Sequence, residues 1–369
     1  MWISALFLIT SLFAGLGVIA PTTPPSRSAE GTMQLVARMR VARSAATSTT
    51  LPGDRVLIAG GMTQGNGALR SFEVFDTRTL RITASGNMRQ ARLDHSATTL
   101  ADGRVLLLGG YDGRYIARAE IFDVRTGQFT DAGSMNVGRS GHTATLLRDG
   151  TVLIVGGVGD GWSFLSSAEI YDSRTGKFTL VKPMSERRES HIAELLPDGR
   201  VLVAGGHRDR RENMVVYSST EIYNPAERRF TAGPALTVAR HKHDAAVLPD
   251  GRVLVFGGSD SQDRTQFTSA EAFDPATNRW SAVAPMATGR FKLRDTAVRL
   301  RDGRILVTGS GRFAELFDPR TNSFSTVAGD LGADYSFASA TVLGNGDALA
   351  LGGYDLSRRN TDGIWRFRP

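Results

Sequence analysis

Arginine and histidine recur at a fixed spacing along this chain, in the motif Met-x3-Arg-x2-His. The motif reads Met88/Arg92/His95, Met135/Arg139/His142 and Met184/Arg188/His191, with leucine first in Leu236/Arg240/His243. Arg43 and Arg290 hold the same place in two units that lack the histidine. A planar guanidinium binds carboxylates or phosphates through two hydrogen bonds. An imidazole can hydrogen-bond, exchange a proton or bind a metal. Anion recognition is therefore the first chemistry to consider.

Repetition leaves two interpretations of the six arginines open. Each arginine either bridges to a glutamate or backbone carbonyls or faces a ligand. The six are Arg43, Arg92, Arg139, Arg188, Arg240 and Arg290. For the histidines we favour a scaffold role, each bonding a neighbouring unit, and we expect no metal site and no cofactor. A glutamate recurs in six units at Glu73, Glu120, Glu169, Glu221, Glu271 and Glu315. We interpret it as structural, because a catalytic acid is normally unique.

Residues that break the repeat are the remaining candidates for chemistry. They are Asp112, Asp160, Asp209, Glu212, Asp260, Asp263, Asp355, His207 and His241. Their spacing forms no recognisable catalytic pair or triad, so the sequence assigns no catalytic residue. The predicted binding residues are the six arginines together with Tyr111, His207 and Arg208. The last three lie at the start of two loops, and the length and composition of such loops vary between units.

The elements that must position these side chains are short strands punctuated by glycine pairs. Apolar runs end at Gly60-Gly61, Gly109-Gly110, Gly156-Gly157, Gly205-Gly206, Gly257-Gly258 and Gly352-Gly353, with Gly309-Ser310 as a variant. One unit divides into strands at His142–Leu147, Thr151–Val155, Ala168–Asp172 and Lys177–Val181. The Asp149-Gly150 turn predicts a type I′ hairpin. One four-stranded antiparallel sheet per repeat is typical of a β-propeller blade.

This repeat resembles the Kelch repeat. The shared features are the double glycine, an aromatic on strand three, such as Phe122 or Tyr171, and Trp or Phe opening strand four, such as Phe178 or Trp280. We predict an all-β, seven-bladed Kelch-type propeller of four-stranded antiparallel blades over residues 33–369. The last unit lacks its fourth strand, so we expect the N-terminal strand Met33–Met39 to close the ring in blade seven.

The resemblance implies where a ligand would bind. In such blades the loops after strands two and four emerge on one face, and the longest here is His207–Ser219. Kelch-type substrate adaptors hold acidic peptides with arginines on that face. The resemblance therefore makes the six arginines candidates for binding an acidic peptide, protein or glycan. The protein could also be an interaction module of a larger envelope assembly, with no small ligand.

The family also includes enzymes. Galactose-oxidase-like propellers need a cysteine for their copper-radical site, and this chain has none, which excludes that chemistry. Exported Kelch propellers that act as sugar mutarotases or epimerases remain the alternative, although no active residue can be carried over. We therefore favour a binding module over an enzyme.

Charge and the N-terminus complete the prediction. The net charge is +7, but no run of five Lys or Arg residues occurs, so we expect no nucleic-acid partner. We also expect the protein to be a monomer. Residues 2–20 carry no charge. Residues 1–28 are predicted to be an export signal or a membrane anchor with a short spacer, which would place the protein in the periplasm, outside the cell or on the envelope.

Overall fold

Seven four-stranded antiparallel sheets follow one another along residues 31–369, the part of the chain that this computed structural model describes. The sheets are the blades of a closed seven-bladed propeller, which confirms the predicted fold class. The predicted signal or anchor, residues 1–28, lies outside the described residues. Within residues 31–369, no helix has the length and apolar character needed to cross a bilayer.

The strands of each blade run from the ring centre outward. Blade 1 contains Thr47–Leu51, Arg55–Ala59, Ser71–Asp76 and Arg81–Asn87; blade 2 Ser96–Thr99, Val105–Leu108, Arg118–Asp123 and Gln128–Ser134; blade 3 Thr143–Leu146, Val152–Val155, Ala168–Asp172 and Lys177–Val181. Blade 4 contains Ile192–Leu195, Val201–Ala204, Thr220–Asn224 and Arg229–Ala232; blade 5 Asp244–Val247, Val253–Phe256, Ala270–Asp274 and Arg279–Val283; blade 6 Ala297–Arg299, Ile305–Val307, Glu315–Asp318 and Ser323–Thr326. Blade 7 contains Ser339–Val342, Ala348–Leu351, Gly363–Arg368 and, outermost, Thr32–Arg38.

The hydrophobic core is divided among the blade interfaces. The second strand of each blade is a short apolar run, such as Val152–Val155, and is buried along its whole length. Its side chains alternate between the two sheet faces, so each strand supplies apolar groups to both neighbouring blades. The buried apolar residues form seven clusters, each shared by two adjacent blades. No blade can therefore bury its own apolar surface alone.

The N-terminal strand closes the ring. Thr32–Arg38 pairs antiparallel with Gly363–Arg368, with Met33 opposite Phe367 and Leu35 opposite Trp365. Met33 and Phe367 are buried in the cluster between blades 6 and 7. This pairing confirms the predicted closure, because it occupies the edge that blade 7 would otherwise leave open.

The glycine pairs are joints between blades. In blade 3, Gly156 and Gly157 have φ values of 63° and 93°. A Cβ on Gly156 would lie 2.5 Å from the carbonyl oxygen of Arg188, in the connection to the next blade. The Gly157 N–H donates to that same oxygen at 2.8 Å. Glycine is thus required both by the left-handed backbone and by the close approach of the next blade.

The Asp-Gly turns differ from the prediction. Gly150 has φ 82°, whereas Asp149 is not among the residues with positive φ. The Gly150 N–H donates to the Leu147 carbonyl at 3.1 Å, and the Asp149 carboxylate accepts the Thr151 N–H at 3.0 Å. A type I′ turn needs two left-handed residues, so that prediction was wrong. The aspartate instead holds the turn through its side chain.

Candidate functional site

The loop-rich face is formed by the connections that follow the second and fourth strands. Two of these loops fold into small hairpins. Val158–Gly159 pairs with Ser163–Phe164 around a 3-10 turn at Asp160–Trp162. In blade 4, His207–Arg208 pairs with Val215–Val216 around a second 3-10 turn, Arg211–Asn213. These hairpins and the loop near Asp263 enclose a cleft of about 1330 Å³.

The six predicted arginines do not reach this cleft. Each of their side chains is fully buried and forms an ion pair with the strand-three glutamate of the same unit. The pairs are Arg43–Glu73, Arg92–Glu120, Arg139–Glu169, Arg188–Glu221, Arg240–Glu271 and Arg290–Glu315, at 2.8, 2.7, 2.8, 3.2, 3.2 and 3.0 Å. The ligand-facing interpretation is therefore corrected: the guanidinium groups have no surface to offer a ligand.

One arginine shows what the whole set does. Arg139 donates to the carbonyls of Gly156 and Ser167 at 2.8 and 3.1 Å, as well as to Glu169. Its own carbonyl accepts the Gly110 N–H of the preceding blade at 2.8 Å. Burial lowers the pKa of Arg139, while the adjacent Glu169 carboxylate opposes that shift. The arginine thus joins two blades through its backbone and its side chain.

Three of the four repeated histidines also act between blades. The imidazole Nε2 atoms of His95, His142 and His191 lie 3.1, 3.0 and 3.1 Å from hydroxyls of Thr47, Ser96 and Thr143 in the preceding blade. Burial holds the pKa of each of these histidines below its ordinary value, with a nearby arginine adding to the effect. Among residues 31–369, no group of three or more His, Asp or Glu side chains could hold a metal ion.

Tyr111, the first of the loop residues predicted to bind, begins an aromatic strip on the loop-rich face. Its ring centroid lies 5.1 Å from that of Tyr115, which lies 6.0 Å from that of Trp162. The Arg210 guanidinium lies 4.1 Å over the Trp162 ring. Trp162 remains 57% exposed at the edge of the cleft. The aromatic strip consists of Tyr111, Tyr115 and Trp162, together with the Arg210 guanidinium over the Trp162 ring.

Arg208 and His207, the other predicted loop residues, have different environments. Arg208 is partly exposed and pairs with Asp209 at 2.7 Å. His207 is buried, and its Nδ1 lies 3.2 Å from Nδ1 of His241. His241 Nε2 in turn lies 3.1 Å from Asp263 Oδ1. On the other side, His207 Nε2 lies 3.6 Å from Glu189 Oε2. The side chains thus form one continuous series, the Glu-His-His-Asp series, which consists of Glu189, His207, His241 and Asp263.

Charge and burial shape this series. Burial raises the pKa of Glu189 to about 7, although Arg210, 3.2 Å away, opposes the rise. Burial also lowers the pKa of His207 to about 2, and the neighbouring His241 adds to that effect. Burial alone would raise the pKa of Asp263, but bonds from His241 and Lys242 outweigh it and hold that pKa well below its usual range. The series therefore holds one carboxyl with a pKa near neutrality and one whose ionised form is strongly favoured.

Sequence reasoning identified three members of this series separately and missed Glu189. The sequence did contain a signal for Glu189, namely its position relative to the arginine and the double glycine of the repeat. In most blades the residue after the arginine bridges to the residue after the second glycine, as Ser140 does to Val158. In blade 4 those two positions hold Glu189 and His207. A carboxylate and an imidazole could therefore have been predicted to be neighbours.

The central channel lies beside the cleft. Glu189, Arg210 and Lys242 line both spaces. Arg294 extends across the channel mouth to Asp94 and donates to the His142 carbonyl at 3.1 Å. Burial raises the pKa of Glu194 on the channel wall to about 8, and Asp244 adds to that effect. The channel thus contains one carboxyl, that of Glu194, whose protonated form is favoured at neutral pH.

Known proteins share this architecture. A fungal alcohol oxidase of the AA5 family, solved in complex with copper, superposes with a TM-score of 0.74 over 92% of this chain and 76% of its own, at 16% identity. At that identity the match shows the fold alone. The present chain has no cysteine, which the copper-radical site considered above requires.

Sequence relatives match part of the chain. Spermatocyte protein spe-26 of Caenorhabditis elegans is 29% identical over 34% of this chain, and F-box/kelch-repeat protein SKIP20 of Arabidopsis thaliana is 32% identical over 27%. These matches span about a quarter of either relative, 24% and 26% respectively. The Attractin/LZTR1 beta-propeller family matches residues 56–311, more than half of the chain. With its double glycines, its blade-joining arginines and its seven blades, the chain belongs to the Attractin/LZTR1 family of Kelch-type β-propellers.

Proposed function

We propose that this protein is an exported, monomeric binding module that captures an acidic segment of a partner protein on its loop-rich face. The aromatic strip is the observation that carries the proposal. Exposed tryptophan, tyrosine and arginine side chains dominate the energetics of protein interfaces. A loop-rich rim on a rigid propeller is a common place for such residues. Kelch-type propellers generally serve as protein-binding modules, which fits this use of the face.

Charge on the rim favours an acidic partner. Glu189, Asp209 and Asp263 are already paired with cations. Arg211 and Arg264 line the cleft, are exposed, and form no ion pair among the described residues. Glu212 is the one other carboxylate on the lining. Among its unpaired charged groups, the cleft lining thus has two cations, Arg211 and Arg264, and one carboxylate, Glu212. The whole chain has a net charge of +7. Long-range attraction would speed the encounter with an acidic segment.

Export rests on the uncharged residues 2–20. A signal or anchor of that kind would place the propeller in the periplasm, outside the cell or on the envelope. Comparing the processed N-terminus of the purified protein with that of a membrane fraction would separate a cleaved signal from a retained anchor. A cytoplasmic protein with intact residues 1–28 would contradict this part of the proposal.

A peptide and glycan array tests the binding function. We expect acidic peptides to bind, and binding to weaken at high salt because the Debye length shortens. Trp162→Ala should weaken binding of the selected peptide by about 30-fold or more, the loss typical of an interface hot spot. Leu180→Ala is the matched control, since Leu180 is 53% exposed but lies on the outer strand of blade 3. Equal binding by both variants would refute the assigned surface.

A further inference from the structure

Arg210 differs from the blade-joining arginines because its guanidinium is exposed and stacked on aromatic rings. The guanidinium lies 4.1 Å from the centre of the Trp162 ring and 5.7 Å from the centre of the Phe164 ring. The Arg210 side chain remains 44% exposed. Stacking restricts the movement of a guanidinium but leaves the N–H groups at its edge open to a ligand. Arg210 is therefore positioned to receive an anion that enters the cleft.

A carboxylate already lies beside this guanidinium. Arg210 Nη2 donates to Glu189 Oε2 at 3.2 Å, and within residues 31–369 this is the one hydrogen bond of the guanidinium. A guanidinium has five N–H donors, and a carboxylate in bidentate contact needs two of them. Arg210 can therefore bind a second carboxylate, supplied by a ligand, next to that of Glu189.

Glu189 depends on Arg210 for its negative charge. Its side chain is only 11% exposed and lies against the backbone of Gly141, where an added Cβ would be 2.8 Å from Oε1. His207 Nε2 lies 3.6 Å from Oε2, which is too far for a hydrogen bond. Burial lowers the pKa of His207 to about 2, so this imidazole carries no positive charge near neutral pH. Arg210 is thus the cation in contact with the Glu189 carboxylate.

The other groups around Glu189 are held by partners of their own. Lys242 pairs with Asp263 at 2.6 Å. Asp94 and Arg294, from the connections before blades 2 and 6, pair with each other. The Tyr115 phenol stays neutral, because burial raises its pKa to about 12. Among the residues that the structure describes, none of these groups hydrogen-bonds to the Glu189 carboxylate in place of Arg210.

We propose that Arg210 binds a carboxylate of the acidic partner and that Glu189, which shares this guanidinium, takes up a proton from solvent as the partner binds. The cleft would then bind acidic segments more tightly in mildly acidic than in mildly basic solution. This inference rests on the acidic-segment function proposed above and adds its regulation.

The direction of the coupling follows from the charges. Burial raises the pKa of Glu189 to about 7, although Arg210 opposes the rise. A ligand carboxylate on Arg210 weakens that opposition and also places a like charge near Glu189, and both effects raise the pKa of Glu189 further. Above about pH 7, Glu189 is mostly ionised in the free protein, so binding requires a proton and weakens as the pH rises. Below about pH 6, Glu189 is already protonated and the affinity should level off.

Titration calorimetry of the full chain tests this coupling. The probes are hexaglutamate and hexaaspartate peptides with acetylated and amidated ends, whose side chains stay ionised between pH 6 and 8. We expect the affinity to fall by about 10-fold from pH 6 to pH 8, as one group with a pKa of about 7 requires. At pH 8, heats measured in buffers of different ionisation enthalpy should show uptake of about one proton per peptide. This proton count tests the proposal on the wild type alone.

Three variants assign the proton and the binding cation. Glu189→Gln should bind equally at pH 6 and 8 and take up no proton. Glu194→Gln is the matched control, because burial raises the pKa of Glu194 to about 8 but no contact joins it to Arg210; it should keep the pH dependence. Arg210→Gln should lose about 10- to 100-fold in affinity at pH 6, the range for hydrogen bonds to a charged group. Arg125→Gln, which removes a 90% exposed arginine, should bind like the wild type.

The possible failures are distinguishable. The proposal is overturned if the wild type binds with equal affinity at pH 6 and 8, if it takes up no proton at pH 8, or if Glu189→Gln keeps the pH dependence. If neither the wild type nor Glu189→Gln binds either peptide at pH 6, the acidic-segment function itself is refuted, and this inference is refuted with it.

Discussion

Replacing Arg139 by methionine should strongly destabilise the propeller. The change removes a buried guanidinium that donates to three backbone carbonyls, to the Ser167 hydroxyl at 3.1 Å and to Glu169 at 2.8 Å. Methionine restores much of the volume but none of the hydrogen bonds. Glu169 then keeps only its bonds from Asn136, at 2.8 and 2.7 Å, and becomes a buried carboxylate without a counter-ion.

The magnitude follows from the burial of the pair. The side chains of Arg139 and Glu169 are both 0% exposed, so solvent does not screen their interaction. Removing one partner of such a pair typically costs about 3–5 kcal/mol, mostly through the charge that is left unpaired. Changing Glu169 to leucine in the same variant removes that charge. The double variant should therefore recover part of the stability lost in the single one.

Urea unfolding at pH 7, followed by tryptophan fluorescence, measures the effect. Arg174→Met is the matched control, because Arg174 pairs with Asp172 at 3.3 Å but its side chain is 81% exposed. Such surface pairs contribute about 0–1 kcal/mol, so this variant should unfold close to the wild type. The reasoning is refuted if Arg139→Met unfolds at the same urea concentration as Arg174→Met.

Three further predictions concern closure, the glycine joints and buried acids. A chain that begins at residue 41 lacks the strand that pairs with Gly363–Arg368, so it should lose cooperative thermal unfolding; an unchanged melting curve would contradict the closure. Gly156→Ala should destabilise the protein more than Gly161→Ala in urea unfolding: both glycines have φ near 65°, but only at Gly156 would the new Cβ meet a carbonyl, at 2.5 Å. Equal losses would show that the backbone angle alone matters. Burial raises the pKa of Glu194 to about 8, so the wild type loses stability as the pH rises from about 4.5 through 8, where only the unfolded state ionises freely. Melting temperatures of Glu194→Gln should therefore improve relative to wild type between pH 5 and 9, and a constant difference would argue against this shift.

Blade number and closure were predictable because they follow from local rules that the sequence repeats. A double glycine after an apolar run marks the end of each second strand, and the missing fourth strand of blade 7 identifies Met33–Met39 as its replacement. The ligand-facing interpretation of the arginines failed for a physical reason. Spacing along the chain places Arg139 at the mouth of a strand but does not tell whether its side chain points outward or back toward Glu169.

The Glu-His-His-Asp series was predictable in part. Glu189 and His207 occupy positions that bridge in the other blades, so their contact follows from register. The contacts of His207 with His241 and of His241 with Asp263 join three separate connections, and the relative placement of those connections depends on how blades 4 and 5 pack. Loop length and composition alone do not fix that placement.

The pairing of Thr32–Arg38 with Gly363–Arg368 has a consequence for how the chain acquires its structure. The closing strand is synthesised about 330 residues before its partner. Blades 1 to 6 can form sheets from local contacts, but the closing strand has to wait for Gly363–Arg368. Contacts this distant in sequence make folding slow. Until Gly363–Arg368 has been synthesised, the nascent chain would carry an unpaired strand and an uncovered blade, and both promote aggregation and chaperone binding.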